Sequence, residues 1–192
     1  LSLDHYMLKQ ACRLIHFWIK NHLPPVPVSV NQSRQTFLKP DYVSRLQELI
    51  KTWQIPDGFL ILEITEGIAL KNETELNSLL SQIRTLGILT SMDDFGTGYS
   101  SLTVLGNLRI DELKLDRGFL LNAAEPSNTR ARIIMEHTLQ MAARLQIPTV
   151  TEGIETKEQA ELARDLGSIY GQGYFYGKPM PVEEFHTRYI LQ

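Results

Sequence analysis

The sequence predicts a parallel α/β fold of the barrel kind, and three observations lead there. Short apolar, β-branched runs alternate with amphipathic helical stretches along the chain. No glycine-rich phosphate fingerprint follows the first run, which removes the main argument for a doubly wound dinucleotide fold. Polar residues instead recur at the C-terminal ends of the runs: Asn31, Glu63, Asp93, Lys114, Glu152 and Gln172. In a TIM-type barrel such ends converge on one mouth. Six separate ends carrying metal-type or cationic groups weigh more than any one of them.

The elements follow in order. A helix is expected over Leu3 to Asn21, where Met7, Leu8, Ala11, Leu14, Ile15 and Trp18 recur at spacings of three and four. Strands are expected at Val26 to Val30, Phe59 to Ile64, Ile88 to Met92, Glu112 to Leu115 and Thr149 to Thr151, with a weaker one near Ile169 to Tyr174. Asp41 to Trp53 carries a helical stripe of Val43, Leu46, Leu49, Ile50 and Trp53. Asn72 to Leu86 carries Leu76, Leu79, Leu80 and Ile83, with Asn72 and Glu75 as a capping box and Gly87 as the stop. Asn128 to Leu145 is the longest internal helix, and Thr156 with Gln159 caps another that ends before Gly167. No Pro/Gly-rich linker or low-complexity tract divides residues 1–192, so one domain is expected.

Composition narrows the function. The chain has 192 residues, 43% hydrophobic, with net charge −3, which suits a soluble domain with a sizeable core. Slight acidity argues against a general nucleic-acid binder. No apolar run approaches the ~20 residues that span a bilayer, so no membrane contact is expected from this segment. No signal-like N-terminus is visible. The single cysteine, Cys12, lies on the apolar stripe of the first helix and reads as a buried residue, so cytoplasm is the expected compartment. The five histidines (His5, His16, His22, His137, His186) are scattered on predicted helices, and none is assigned a catalytic role.

Chemistry concentrates in Asp93-Asp94-Phe95-Gly96-Thr97-Gly98-Tyr99-Ser100-Ser101-Leu102. Adjacent carboxylates repel and are costly to bury without a cation, so at a strand end they suggest a divalent metal site. A solvated turn is the plainer alternative. Glu63, flanked by Ile61, Leu62 and Ile64, needs a partner if buried. Asn31 reads either as a turn or cap residue or as a neutral oxygen ligand. Lys114, between Leu113 and Leu115, reads as a structural ion pair or as a cation steering a phosphate or nucleophilic water. Glu152-Gly153-Ile154-Glu155 places two carboxylates around a glycine turn; one suits a ligand or general base, the other a helix cap. Gln172 lies in a glycine- and aromatic-rich segment running to Pro181, where a ligand can approach the backbone closely. Oxygen donors without a Cys/His cluster favour Mg²⁺ or Mn²⁺ over Zn²⁺. Two such ions suit in-line displacement at phosphorus.

Val28-Ser29-Val30-Asn31-Gln32-Ser33, Glu63-Ile64-Thr65-Glu66, the Asp93 motif, Leu113-Lys114-Leu115-Asp116, Glu152-Gly153-Ile154-Glu155 and Gln172-Gly173-Tyr174 through Pro181 together resemble the EAL domain, the family of cyclic di-GMP-specific phosphodiesterases. The resemblance runs from about Leu3 to Phe185. It implies a (β/α)₈-like TIM barrel, two Mg²⁺ or Mn²⁺ ions, and hydrolysis of cyclic di-GMP to linear pGpG. It implies that Asn31, Glu63, Asp93, Asp94 and Glu152 are metal ligands, and that Lys114 positions the attacking water or phosphate, with Lys114, Glu152 and Asp94 the catalytic set. Gln172, Asp116 and Glu155 would contact substrate. Glu66 would hold the loop after Asp94, which in this family also serves dimer communication, and a homodimer is the implied assembly. Gln32 departs from the family, where that position is usually apolar, and no functional weight is attached to it.

The naming Glu-Ala-Leu motif, whose glutamate is a metal ligand in the family, does not occur in these residues. About six of the eight barrel strands are expected here, against a full barrel of about 250 residues. The expectation is therefore an EAL domain lacking its first strands, as part of a longer protein. A catalytically inactive cyclic di-GMP receptor is the alternative, and a fold-only interaction domain is a third reading.

Overall fold

The computed structural model describes residues 3–68, 73–96 and 102–191. The chain forms two compact units, Leu1–Thr90 with Met180–Gln192, and Ser91–Pro179.

In the first unit, helix α1 (Leu3–Lys20) buries Leu8, Ala11, Cys12, Ile15 and Trp18, the stripe that the three-four spacing marks out. It stops where His22 takes a left-handed conformation and Leu23 N–H bonds back to the Trp18 carbonyl, before Pro24 and Pro25. His22 is thus past the helix end rather than on it. Strand β1 (Val28–Asn31) starts two residues later than expected, because Pro27 has no N–H to donate. A short helix α2 (Arg34–Phe37) is capped by the Ser33 side chain, and α3 (Tyr42–Trp53) buries Tyr42, Leu46 and Leu49. Strand β2 (Leu60–Thr65) pairs parallel with β1 in the register Val28↔Leu60 to Asn31↔Glu63. Its near-continuous burial is that of a parallel strand covered on both faces. After a 3-10 turn at Glu66–Ile68 comes α4 (Glu73–Thr85), which buries Leu76, Leu80 and Ile83. The proposed cap at Asn72 lies outside the described residues. Gly87 ends this segment at φ +75°, and a Cβ there would come within 2.0 Å of Asp57 Oδ1, so the position needs glycine twice over.

The second unit holds β3 (Leu89–Phe95) from Ser91 on, β4 (Glu112–Leu115), β5 (Thr149–Thr151) and β6 (Tyr170–Gly171), each parallel to the next. Helices α5 (Leu102–Asn107), α6 (Arg117–Ala124), α7 (Thr129–Arg144) and α8 (Lys157–Asp165) connect them. Asn128 caps α7, and Thr156 with Gln159 forms the full capping box of α8. Two strands differ from expectation. Strand β3 runs on through Asp93 and Asp94 to Phe95, which is buried and pairs with Leu115. Strand β6 shrinks to two residues because the chain turns at Gly173, whose carbonyl accepts from Tyr176 N–H. In the first unit, α9 (Val182–Phe185) and a π-helical turn at His186–Ile190 follow. Among the described residues no helix is long and apolar enough to cross a membrane.

The architecture is α/β, with six parallel strands joined mainly by helices and taken in chain order within each unit, as a partial TIM-like barrel requires.

Candidate functional site

Consecutive residues in a strand point to opposite faces, so Asp93 and Asp94 in a regular β3 would diverge. They do not. Between Met92↔Leu113 and Phe95↔Leu115, β3 spends three steps where β4 spends two, so one extra residue bulges out opposite Lys114. Asp94 absorbs the distortion at φ +56°, a left-handed conformation that aspartate tolerates better than most side chains. The bulge re-aims the pair. One carboxylate oxygen from each of Asp93, Asp94 and Glu152 then lies within 4.8 Å of the others.

Lys114 lies among them. Leu113 and Leu115 take the opposite face of β4 and are fully buried, which sends the lysine toward the acids. Its side chain is 5% exposed, with Nζ 2.6 Å from Glu152 Oε1 and 3.1 Å from Asp93 Oδ1. Asp93 Oδ1 is buried, and its contact with the Lys114 ammonium at 3.1 Å is an ion pair that falls outside hydrogen-bond geometry. Glu152 follows the end of β5, and its backbone N–H is pinned to the Leu115 carbonyl at 3.1 Å. The Asp94 carboxyl is pushed above its ordinary range by burial first, then by the charges of Asp93 and Asp116, with Lys114 opposing. Three clustered carboxylates, one pushed toward protonation and one with a buried oxygen lacking a hydrogen-bond donor, are what a hard cation relieves. The all-oxygen donor set fits such an ion, and the spacing is within what ligand distances of about 2.0–2.6 Å draw together.

In the first unit Asn31, the last residue of β1, and Glu63, two residues before the end of β2, are register partners, so both project to one face; Asn31 is exposed and Glu63 buried. Asp116 caps α6, its carboxylate accepting from Gly118 N–H at 2.7 Å. Glu155 pairs with Arg117 Nη2 at 3.0 Å. Gln172 is tied through its backbone, its N–H to Thr151 and its carbonyl to Ile154, which fastens the turn behind Glu152. Gly153 in that turn sits at φ +71°, against the Arg117 stem. Glu66 opens the 3-10 turn after β2. Thr97 to Ser101 of the acidic motif, and the side chain of Glu66, lie outside the described residues.

Sequence reasoning missed Gln32. It is 4% exposed, and its carboxamide is held by Tyr42, at the start of α3. The available signal was a long polar side chain in a slot that otherwise reads as apolar.

The family model described as EAL domain matches residues 1–179. The chain is 33% identical over 184 residues to the bifunctional diguanylate cyclase/cyclic di-GMP phosphodiesterase MucR of Pseudomonas aeruginosa, covering 96% of this chain and 27% of that protein. It is 34% identical over 192 residues to the cyclic di-GMP phosphodiesterase NbdA of the same organism, covering 98% of this chain and 24% of that protein. The chain thus spans about a quarter of the length of the curated relatives it matches. Among solved structures, the PaMucR phosphodiesterase in its c-di-GMP complex superposes with a TM-score of 0.86 at 33% identity, over 94% of this chain and 72% of that one. The EAL domain of Mycobacterium smegmatis DcpA gives 0.89 at 29% identity, over 97% and 83%.

Proposed function

The chain belongs to the EAL domain family, and on that premise we propose that it acts as a metal-dependent phosphodiesterase hydrolysing cyclic di-GMP to linear pGpG. The bulge that turns Asp93 and Asp94 together toward Glu152 around a buried Lys114 carries this reading. It is a costly arrangement for a metal-free protein and a suitable one for holding a divalent cation. The similarity to the cyclic di-GMP phosphodiesterase NbdA and to the c-di-GMP complex of PaMucR supports cyclic di-GMP as the substrate.

Asp93, Asp94 and Glu152 would hold Mg²⁺ or Mn²⁺, and by the resemblance Asn31 and Glu63 would be metal ligands as well, in a site of two ions. The chemistry such a pair supplies when bound is Lewis-acid activation of water and neutralisation of charge at the phosphate. In the reaction, water oxygen bonds to phosphorus, the bond to the 3′ oxygen breaks, and the proton ends on that departing oxygen. Lys114, held by two carboxylates, orients the water or a phosphate oxygen. Glu152 is the group placed to take the water's proton on its way. Gln172, Asp116 and Glu155 contact the dinucleotide, and Glu66 steadies the loop after Asp94. The same reading treats residues 1–192 as an EAL domain lacking its first strands, with a homodimer in the cytoplasm as the working state.

The test is incubation of the longer protein, with the Glu-Ala-Leu strand that the family requires included, with cyclic di-GMP and Mg²⁺ or Mn²⁺, followed by chromatographic separation of the nucleotides. pGpG should form, and should disappear with Asp93→Asn or Glu152→Gln. Absence of product from folded, metal-supplemented protein would overturn the reading; tight, metal-independent binding without turnover would make the chain a receptor instead.

A further inference from the structure

The segment Asn31-Gln32-Ser33, where β1 ends, is tied down at three successive residues. The N–H of Gln32 donates to the Glu63 carbonyl at 2.9 Å, continuing the β1–β2 ladder one step beyond Asn31. The carbonyl at the other side of that same peptide unit, that of Asn31, accepts from Gln32 Nε2 at 2.7 Å, with a longer contact from Nε2 to the Val30 carbonyl at 3.5 Å. Gln32 Oε1 accepts from the Tyr42 hydroxyl at 2.9 Å. A carbonyl only accepts, so its neighbour must be the amide nitrogen, and the orientation of the Gln32 carboxamide follows from its partners. Ser33 then bonds through both its N–H and its hydroxyl to Asp4 on α1.

Packing alone does not call for glutamine here. Gln32 is 4% exposed and Tyr42 3%. An apolar side chain would fill the same space without an amide to satisfy, whereas a buried amide is costly unless bonded. The carboxamide of Gln32 is spent on the Asn31 carbonyl, with a longer reach to that of Val30, and on the tyrosine that orients it. Tyr42 is itself steadied by the Phe37 ring, at a centroid distance of 5.1 Å. What this fixes is the plane of the Asn31–Gln32 peptide, and with it the aim of the Asn31 side chain beside its register partner Glu63.

We propose that Gln32, oriented by Tyr42, is a positioning residue for Asn31, holding its carboxamide in place for a divalent cation. This rests on the reading of Asn31 as a metal ligand. Gln32 touches neither ion nor substrate in this account; it acts through the peptide it locks.

The experiment is Mn²⁺ titration of the metal-free protein by calorimetry, on the native chain, Gln32→Met, Asn31→Ala, the double variant and Tyr42→Phe, with circular dichroism and melting temperature as the folding control. Gln32→Met should weaken Mn²⁺ binding about ten-fold, the lower end of what loss of a ligand's supporting hydrogen bond costs. Tyr42→Phe should shift it in the same direction by less. On the Asn31→Ala background, Gln32→Met should cause no further loss, because its effect runs through Asn31. Native Mn²⁺ affinity in Gln32→Met, or an equal loss with and without Asn31, would overturn the proposal while leaving the metal site standing. Native affinity in Asn31→Ala, or no Mn²⁺ binding by the native chain, would overturn the ligand reading and this proposal with it. Should Gln32→Met fail to fold, Tyr42→Phe in the same cycle decides by the same criteria.

Discussion

Replacing Lys114 with methionine keeps most of a buried side chain's volume and removes one positive charge from between two acids. The Nζ contacts at 3.1 Å to Asp93 and 2.6 Å to Glu152 set the scale. With an effective dielectric constant of about 20, they represent about 5 and about 6 kcal/mol of attraction. Much of that is cancelled by the cost of taking the ammonium out of water, and deletion of one partner of a buried ion pair typically costs about 3–5 kcal/mol, because the remaining charges stay buried. The two acid side chains retain some solvent contact, 13% and 17%, which places the expectation at the lower end, about 3 kcal/mol. Urea unfolding of the metal-free protein at pH 7 measures it. With a slope near 2 kcal/mol per molar, the midpoint should fall by about 1.5 M at unchanged slope.

Two further legs separate charge from packing. Toward acid pH carboxylates in general lose their charge, so mutual repulsion fades and the deficit of Lys114→Met should shrink. Adding Mn²⁺ at a hundred times its dissociation constant should restore about 2.7 kcal/mol, since a ligand that binds only the folded state stabilises it by mass action. Turnover should stay low even then. A midpoint shift below about 0.3 M, or a deficit that ignores both pH and Mn²⁺, would refute the view that Lys114 holds a charged cluster together.

Other consequences are open to direct measurement. The Asp94 carboxyl titrates above its ordinary range because of burial and the charges of Asp93 and Asp116; its proton is therefore held more tightly folded than unfolded, favouring the fold at acid pH and losing that benefit as pH rises through the folded value. Asp94→Asn should flatten that decline in the metal-free protein between pH 4 and 7 and weaken Mn²⁺ binding; identical pH slopes in the two proteins would count against the cluster. The Cys12 thiol is wholly buried, and burial pushes it up to about 11, so a thiol reagent at pH 8 should label it only after unfolding. Gly87→Ala should lower stability by at least about 1 kcal/mol, from the left-handed backbone alone, with the approach to Asp57 adding to it; an unchanged urea midpoint would refute a left-handed, tightly packed residue 87.

Local rules carried the sequence reading a long way. Burial of Leu8, Cys12, Ile15 and Trp18 follows from helical spacing, and the Thr156–Gln159 box from side-chain chemistry within four residues. Strands β4 and β5 begin and end where their apolar runs do. The readings drifted where the deciding partner is distant in sequence. Strand β3 continues through two aspartates because Phe95 has Leu115 to pair with, and β6 stops early because the turn at Gly173 claims the residues after it. Gln32 looked incidental because its meaning depends on Tyr42, ten residues on, and on a carbonyl that only the folded strand leaves in need of a donor.

The acidic pair shows why adjacency in sequence and convergence in space are separate questions. Two neighbouring aspartates at a strand end are equally compatible with a solvated turn and with a regular strand whose period of two separates them. Either would spoil a metal site, the first by hydrating the acids, the second by dividing them between two faces. What joins them is a single surplus residue, counted only against β4, together with a left-handed backbone at Asp94. That distortion brings buried Phe95 into register with Leu115 at an electrostatic cost: the buried Asp93 Oδ1 is met only by the Lys114 ammonium, and the proton affinity of Asp94 is raised. Local strain and electrostatic cost therefore coincide at the same two residues, and a cation that binds there would relieve the electrostatic part of both.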